Sequence, residues 1–77
     1  MYSYNISKNA DRKAFDEVCG LIETKYKGLK KERLLIDVDG TQIQIYNAPD
    51  GKIKVYNDYE VDAVYIDSDI ELTDITK

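Results

Sequence analysis

Apolar and polar residues alternate over residues 2–7 of this chain and then recur at helical spacing through the following segment. The alternation Tyr-Ser-Tyr-Asn-Ile-Ser predicts a strand with one buried side. Ser7 or Asn9 is predicted to cap the helix after it, because either side chain can accept a hydrogen bond from a free backbone N–H. Gly28 is expected directly after the C-cap, since glycine reaches positive φ without strain. The apolar stripe that predicts this helix consists of Phe15, Val18, Cys19, Ile22 and Tyr26.

A first hairpin is predicted around Asp39-Gly40, which separates the apolar run 34–38 from the alternating run 41–46. Asp-Gly between alternating runs is typical of a two-residue hairpin loop. Closing the loop there pairs Ile36 with Ile43, so that aliphatic side chains of both runs share one face. We therefore expect that face to form part of the core and the glutamines of the second run to lie on the other face.

A second hairpin is predicted at Pro49-Asp50-Gly51, which is typical of a type I turn followed by a glycine bulge. A three-residue loop at this position aligns Ile45 with Val55 and keeps Ile53 on the same face. The two turns thus select the same core face. The residues expected on the outer face are Lys52, Lys54 and Tyr56.

The segment from Val61 to Ile75 is predicted to form one long strand, or two short strands that break near Ser68. Its apolar residues share one parity and its carboxylates share the other, as in a strand with one face buried. The apolar set comprises Val64, Ile66, Ile70 and Leu72, and the opposite set comprises Tyr65, Asp67, Asp69 and Glu71. The element order β-α-β-β-β-β predicts an α+β fold, with one helix in the N-terminal half packed on a mostly antiparallel sheet of about five strands. A chain of 77 residues is expected to form a single domain over residues 1–77.

Composition narrows the chemistry that the chain can perform. Histidine is absent, which removes the commonest general base near neutral pH and every Cys/His zinc site. Cys19 is the single cysteine, and its place on the apolar stripe predicts core packing rather than a reactive thiol. A lone cysteine, together with the lack of a signal sequence and of a long apolar run, favours a cytoplasmic protein. We expect no enzyme activity, no cofactor and no membrane contact.

Residues 34–41 read Leu-Leu-Ile-Asp-Val-Asp-Gly-Thr. This segment resembles the first motif of haloacid dehalogenase-like phosphatases, in which an apolar strand ends in Asp-x-Asp-Gly-Thr. The resemblance implies a magnesium-dependent site with Asp37 as nucleophile and Asp39 as acid/base. It covers eight of the 77 residues, and the other motifs of that family have no counterpart in the chain. Because hairpin chemistry explains Asp-Gly on its own, the phosphatase is kept as a remote alternative.

The charges are distributed unevenly along the chain. Seven basic residues and four acids lie within Met1–Lys31, whereas seven acids and one lysine lie within Asn57–Lys77. An acidic tract repels phosphate backbones, so we expect no direct binding of nucleic acid through it. Asp67, Asp69 and Glu71 begin like a calcium-binding loop, but the glycine and the final glutamate of such a loop are missing, and no metal site is predicted.

The acidic tract and its tyrosines form the predicted binding surface. Carboxylates spaced along a strand can imitate nucleic-acid phosphates and so occupy a basic groove, and tyrosine is enriched at interface hot spots. The alternative interpretation is a solvated face that keeps the chain soluble and blocks aggregation. The residues predicted to contact a partner are Asp58, Tyr59, Glu60, Asp62, Tyr65, Asp67, Asp69 and Glu71.

In size, acidity and lack of histidine, the chain resembles in type the small phage-encoded anti-defence proteins, which include anti-CRISPR and anti-restriction DNA mimics. The resemblance implies an inhibitor that binds a basic, nucleic-acid-handling protein. The alternative is a homo-oligomeric structural or accessory module of a phage or mobile element. In that hypothesis an edge strand or the tyrosines form the interface of a homodimer or larger assembly.

Overall fold

The computed structural model describes residues 1–73, which form one helix and a six-stranded antiparallel sheet. The elements in chain order are β1 (Tyr2–Ser7), α1 (Arg12–Lys25), β2 (Lys30–Lys31), β3 (Leu35–Ile36), β4 (Gln42–Ala48), β5 (Gly51–Asp58) and β6 (Ala63–Ser68). The strands lie in the order β1-β6-β5-β4-β2, and β3 also pairs with β4. The predicted α+β fold is confirmed, and the segment after the helix adds the short strand β2 to the expected sheet.

The core lies between α1 and one face of the sheet. Every residue of the helical stripe except the last is buried, because α1 packs against the sheet, where it contacts β5 and β1. The other face of the sheet is not covered by a helix in the described part of the chain. The buried apolar residues are Phe15, Val18, Cys19, Ile22, Tyr46, Ile53, Val55, Val64, Ile66 and Leu72.

The N-terminus of α1 is capped by Asp11, and the prediction of Ser7 or Asn9 as the cap is wrong. Asp11 has an extended backbone, and its carboxylate accepts a hydrogen bond from the backbone N–H of Lys13 at 2.9 Å. The Ser7 hydroxyl instead bonds to the backbone of Asn9 and shapes the link between β1 and α1. Ser7, Asn9 and Asp11 can all act as N-caps by residue type. Asp11 takes this role because the helix starts directly after it, where its carboxylate reaches the free N–H of Lys13.

The chain leaves α1 through a left-handed turn. The C-cap residue is Tyr26, and Gly28 reaches a φ of 81° two residues later, one position beyond the expected one. The turn directs the chain back to the sheet, where Lys30 of β2 lies opposite Asn47.

The β3–β4 hairpin differs from the predicted register by one residue. Leu35, and not Ile36, pairs with Ile43. The reason is the turn: Gly40 takes a φ of 89° at the end of a three-residue loop, instead of sitting inside a two-residue turn. Because a shift of one residue exchanges the faces of a strand, the expected core face of β4 points away from the helix. The β4 residues that lie in the core are Gln42, Gln44 and Tyr46.

The glutamines that this register buries have partners inside the protein. Gln42 Oε1 accepts a hydrogen bond from Asn57 Nδ2 at 2.9 Å, and Gln44 Nε2 donates to the backbone oxygen of Glu32 at 2.6 Å. Among residues 1–73, every buried side-chain nitrogen or oxygen is hydrogen-bonded. Burial of these amides is therefore compatible with a stable core.

The β4–β5 turn also differs from its predicted register by one residue. Ala48 pairs with Gly51, which leaves a two-residue loop, and Ile45 lies opposite Lys54 rather than Val55. Ile45 therefore faces away from the helix, while Val55 is buried as predicted. The residues confirmed on the outer face are Lys52, Lys54 and Tyr56.

The C-terminal segment is predicted to form one long strand or two short strands, but the structure has a single short strand there, β6. β6 ends at Ser68, where the break was expected, and residues 69–73 are not in a strand. Leu72 nevertheless joins the core, with its backbone N–H donating to the hydroxyl of Tyr4 at 2.8 Å. The end of the predicted segment, at Ile75, lies outside the described residues.

Candidate functional site

Two loops, each taken with the last residue of the strand before it, meet at one end of the sheet and form a surface that we call the acidic loop end (residues 36–41 and 58–62). They are adjacent because β4 begins where β5 ends. Tyr59 joins them: its backbone N–H donates to the hydroxyl of Thr41 at 3.1 Å, and its ring lies over Gly40. A Cβ at Gly40 would lie in ordinary van der Waals contact with that ring, at 3.7 Å, so the φ of 89° and not the packing favours glycine here.

The acidic loop end contains five carboxylates and no lysine or arginine. Several of the carboxylates are oriented by backbone N–H groups of their own loop. Asp39 accepts from the N–H of Thr41 at 2.9 Å, and Asp58 accepts from the N–H of Glu60 at 3.0 Å. The bonds from Thr41 hold the pKa of Asp39 below its usual value, so this carboxylate is ionised at neutral pH. The five residues are Asp37, Asp39, Asp58, Glu60 and Asp62.

Asp62 ties the acidic loop end to the link before the helix. Its carboxylate accepts from the backbone N–H of Ala10 at 2.8 Å and from Asn9 Nδ2 at 3.0 Å. These two bonds lower the pKa of Asp62, the one from Ala10 most strongly. Asp62 also has a φ of 58°, a conformation that aspartate tolerates better than most residues. Its charge therefore has a defined position on the surface.

Apolar residues alternate with these carboxylates along both loops. Val38, at the tip of the β3–β4 loop, is fully exposed at 102%, and Ile36 beside it is 65% exposed. From the second loop, Val61 is 62% exposed and Tyr59 is 47% exposed. Aliphatic side chains at loop tips gain nothing from contact with water, and a cluster of them commonly marks a protein contact surface. The acidic loop end thus combines negative charge with apolar contact area.

Asn57 supports this surface from below. Its side chain is fully buried, and its Oδ1 accepts from the backbone N–H of Asp11 at 2.9 Å. Its Nδ2 donates to Gln42 Oε1 at 2.9 Å and to the hydroxyl of Tyr59 at 3.2 Å. One amide therefore connects the helix N-terminus, β4 and the second loop, and it keeps the acidic loop end rigid.

A stacked pair of tyrosines extends this surface onto the helix-free face of the sheet. The rings of Tyr56 and Tyr65 lie parallel, with centroids 4.7 Å apart and 14° between their planes. The hydroxyl of Tyr65 donates to Asp58 Oδ2 at 2.9 Å. Burial, and then this bond, raise the pKa of Tyr65, so its hydroxyl remains protonated and fixes the second oxygen of Asp58.

Three of the predicted acids lie at the opposite end of the strands, and two of them lie beside lysines. Asp67 is opposite Lys54 in the sheet register and accepts from the hydroxyl of Ser3 at 3.0 Å. Asp69 accepts from the backbone N–H of Lys52 at 3.0 Å. Both carboxylates line a shallow depression of about 120 Å³ together with Lys52 and Lys54. The third acid, Glu71, is exposed beyond the end of β6.

The predicted contact residues therefore divide into separate groups. Those at the acidic loop end are Asp58, Tyr59, Glu60 and Asp62, with Tyr65 beside them on the helix-free face. Those at the opposite end are Asp67, Asp69 and Glu71. The length of β6 separates the two groups, so the acidic tract does not form one continuous row of carboxylates.

Sequence reasoning missed Asp37 and Asp39 as members of the same surface, because it assigned them to turn chemistry or to the phosphatase-like motif. The signal that could have found them is the aliphatic Val38 between two carboxylates at a hairpin tip, where a side chain cannot be buried. The strand before these residues pairs antiparallel with β4, whereas the phosphatase resemblance implies a parallel strand. Asp37 Oδ1 accepts from the N–H of Val38 at 2.7 Å, within its own turn.

A separate cleft of about 380 Å³ opens between α1 and the β2–β3 segment. Cys19 lies on its floor, where burial raises the pKa of the thiol to about 11 and keeps it protonated. On its rim, Glu23 accepts from the Tyr46 hydroxyl at 2.5 Å and forms an ion pair with Lys31 at 3.0 Å. The cleft therefore contains an unreactive thiol beside a charge that is already paired.

Among residues 1–73, no three histidine, cysteine or carboxylate side chains are grouped so that they could hold a metal ion. No helix within those residues has the length and apolar character that crossing a membrane requires. Comparison with protein-family models, with curated proteins and with solved structures gave no match.

Proposed function

We propose that this protein is an interaction domain that binds a basic protein partner through the acidic loop end. The observation that carries the proposal is the meeting of two loops with five carboxylates, no basic residue and four exposed apolar side chains. The carboxylates attract and orient a basic partner, and the apolar tips supply contact area that leaves water on binding. The tyrosine at the junction of the loops is of the type that dominates binding energy at interfaces.

A surface of this charge is complementary to the grooves in which proteins bind nucleic acids. We propose that the partner is a nucleic-acid-handling protein and that occupation of its basic groove inhibits it. Fixed carboxylates suit this role, because charges that are already oriented do not have to be ordered when the complex forms. Inhibition of this kind needs no catalytic group on the chain.

Charge reversal at the two ends of the sheet tests the proposal. The test variant is Asp37→Lys with Glu60→Lys, at the acidic loop end, and the control is Asp50→Lys with Glu71→Lys, at the opposite end. All four positions are exposed, and the two variants have the same net charge. A random peptide library displayed on phage is selected against the immobilised wild-type protein, and the dissociation constants of the enriched peptides are then measured for all three proteins.

We expect the enriched peptides to be basic, and their affinity to fall by roughly tenfold or more in the test variant. The control should lose much less, because its charges lie a strand length away and are screened. Val61→Ser should weaken binding without changing its salt dependence. Enrichment of peptides without lysine or arginine, or equal losses in the test and control variants, would show that the acidic loop end is not the binding surface.

A further inference from the structure

The two edges of the sheet differ in how well they are protected against pairing with another strand. β1 forms one edge, and in the described part of the chain it pairs with β6 alone. Its six residues include no charged residue and no proline. The outward N–H and C=O groups of such an edge strand are ready to bond to an added strand.

The opposite edge has the features that prevent such pairing. It consists of two strands of two residues each, β2 and β3, with a gap between them along β4. β2 is made of Lys30 and Lys31, and lysine on a short edge strand is a common means of blocking an added strand. Protection at one edge and its absence at the other point to β1 as a pairing edge.

The sequence of β1 is complementary to itself in an antiparallel arrangement. Tyr4 lies opposite Ile66 in the register and so faces the helix side, while Ser3 and Asn5 face the helix-free side. A twofold axis at Tyr4 would place Ser3 of each copy opposite Asn5 of the other. Both faces then match, with polar residues against polar residues and no like charges in contact. A bulge between Asn5 and Ser7 limits the regular part of the edge to its first residues.

We propose that β1 pairs antiparallel with β1 of a second copy of this chain, which joins two six-stranded sheets into one. The absence of charge in β1 favours a second copy over a basic partner, because an uncharged edge offers a basic partner no attraction. The whole chain carries a net charge of −4, and an uncharged edge lets two copies meet without bringing like charges together. A contact confined to one short edge buries less area than the roughly 1,200 Å² of stable interfaces. We therefore expect a weak dimer with a dissociation constant on the order of 100 µM.

Sedimentation equilibrium measures this association in the wild-type protein from about 10 µM to about 1 mM. Two double variants test the register. Ser3→Lys with Asn5→Lys places lysines opposite each other across the twofold axis, whereas Ser3→Lys with Asn5→Glu places a lysine opposite a glutamate. Both positions are exposed, and thermal unfolding confirms that each variant is folded.

We expect the dissociation constant to rise by roughly tenfold in the lysine–lysine variant and to stay equal or fall in the lysine–glutamate variant. The charge reversal at Asp37 and Glu60 should leave dimerisation unchanged, which separates this inference from the proposed function. A wild-type protein that remains a monomer over the whole range would overturn the inference. Equal association of the two double variants would overturn it as well, because the contact would then lie elsewhere.

Discussion

Asn57→Ala is the single substitution that should do the most damage to the architecture of the candidate site. The amide is fully buried and bonds to the N–H of Asp11, to Gln42 and to the hydroxyl of Tyr59. Alanine removes all three bonds. The bond to Gln42 is buried, whereas those to Asp11 and Tyr59 are partly buried, so water can replace them only in part.

The expected cost follows from these partners. Each lost internal hydrogen bond contributes about 1 kcal/mol, and a buried acceptor left without a donor, such as Gln42 Oε1, adds about 1 kcal/mol or more. The free energy of unfolding should therefore fall by about 3 kcal/mol. A domain of this length has a total stability of roughly 4–11 kcal/mol, so the loss is a large part of the whole.

Urea unfolding followed by circular dichroism measures this loss. With a slope of about 1–1.5 kcal/mol per molar urea, the midpoint should fall by roughly 2–3 M. Asn5→Ala is the matched control, because it removes the same amide from an exposed position in the same sheet, and it should change stability by less than about 0.5 kcal/mol. A loss below about 1 kcal/mol for Asn57→Ala would refute the argument that this amide holds the helix and the loops together.

Four further predictions concern the scaffold. Gly20→Ala should stabilise the protein by about 0.5–1 kcal/mol, because Gly20 lies within α1 and a Cβ there meets nothing within 4 Å. Gly51→Ala should destabilise the protein by roughly 2 kcal/mol or more in the same urea assay, because the φ of Gly51 is 151° and the new Cβ would lie 2.5 Å from the Cβ of Asp69. At pH 8, a thiol reagent should label Cys19 about 100-fold more slowly in the folded than in the unfolded chain, since burial raises its pKa from 9.0 to about 11; equal rates would contradict its burial. The hydrogen bond from Tyr46, and then the contact with Lys31, lower the pKa of Glu23. The ionised carboxylate therefore stabilises the fold above its unfolded pKa of about 4.3, and this contribution is lost as the pH falls through the folded pKa. Tyr46→Phe should therefore make stability less dependent on pH on the acid side, and an unchanged pH profile would contradict the bond.

The helix could be predicted from the sequence because its evidence is repeated over several turns. The apolar stripe recurs every three or four residues, at Phe15, Val18 and Ile22, so one residue that departs from it does not alter the pattern. The cap could not be predicted, since Ser7, Asn9 and Asp11 are equally suitable by residue type. The choice among them depends on where the chain meets the sheet.

The hairpin registers could not be read reliably from the sequence because both faces of β4 appear plausible. Ile43 and Ile45 are the large aliphatic residues of that strand, and the sequence therefore favours them for the core. The structure instead buries Gln42 and Gln44, which is acceptable only because Asn57 and a backbone carbonyl supply hydrogen bonds. These partners belong to other parts of the chain, so the pattern of residues within β4 cannot predict them.

The composition of the candidate site was hidden for a different reason. Asp58, Glu60 and Asp62 are close in the sequence and were predicted together, whereas Asp37 and Asp39 join them only because the β4–β5 hairpin returns the chain to the same end. An acidic tract in the sequence therefore identifies only some of the carboxylates that form an acidic surface.

The position of the basic residues decides which acids can attract a partner. At the end of the sheet near Asp67 and Asp69, the side chains of Lys52 and Lys54 lie in the same depression and offset the carboxylates. At the acidic loop end, the loops contain no basic residue, so the field of their five carboxylates extends further into solvent. In the proposed function, steering depends on acids that have no basic residue in their own segment and not on the number of acids, so the loops rather than the C-terminal tract should determine the association rate.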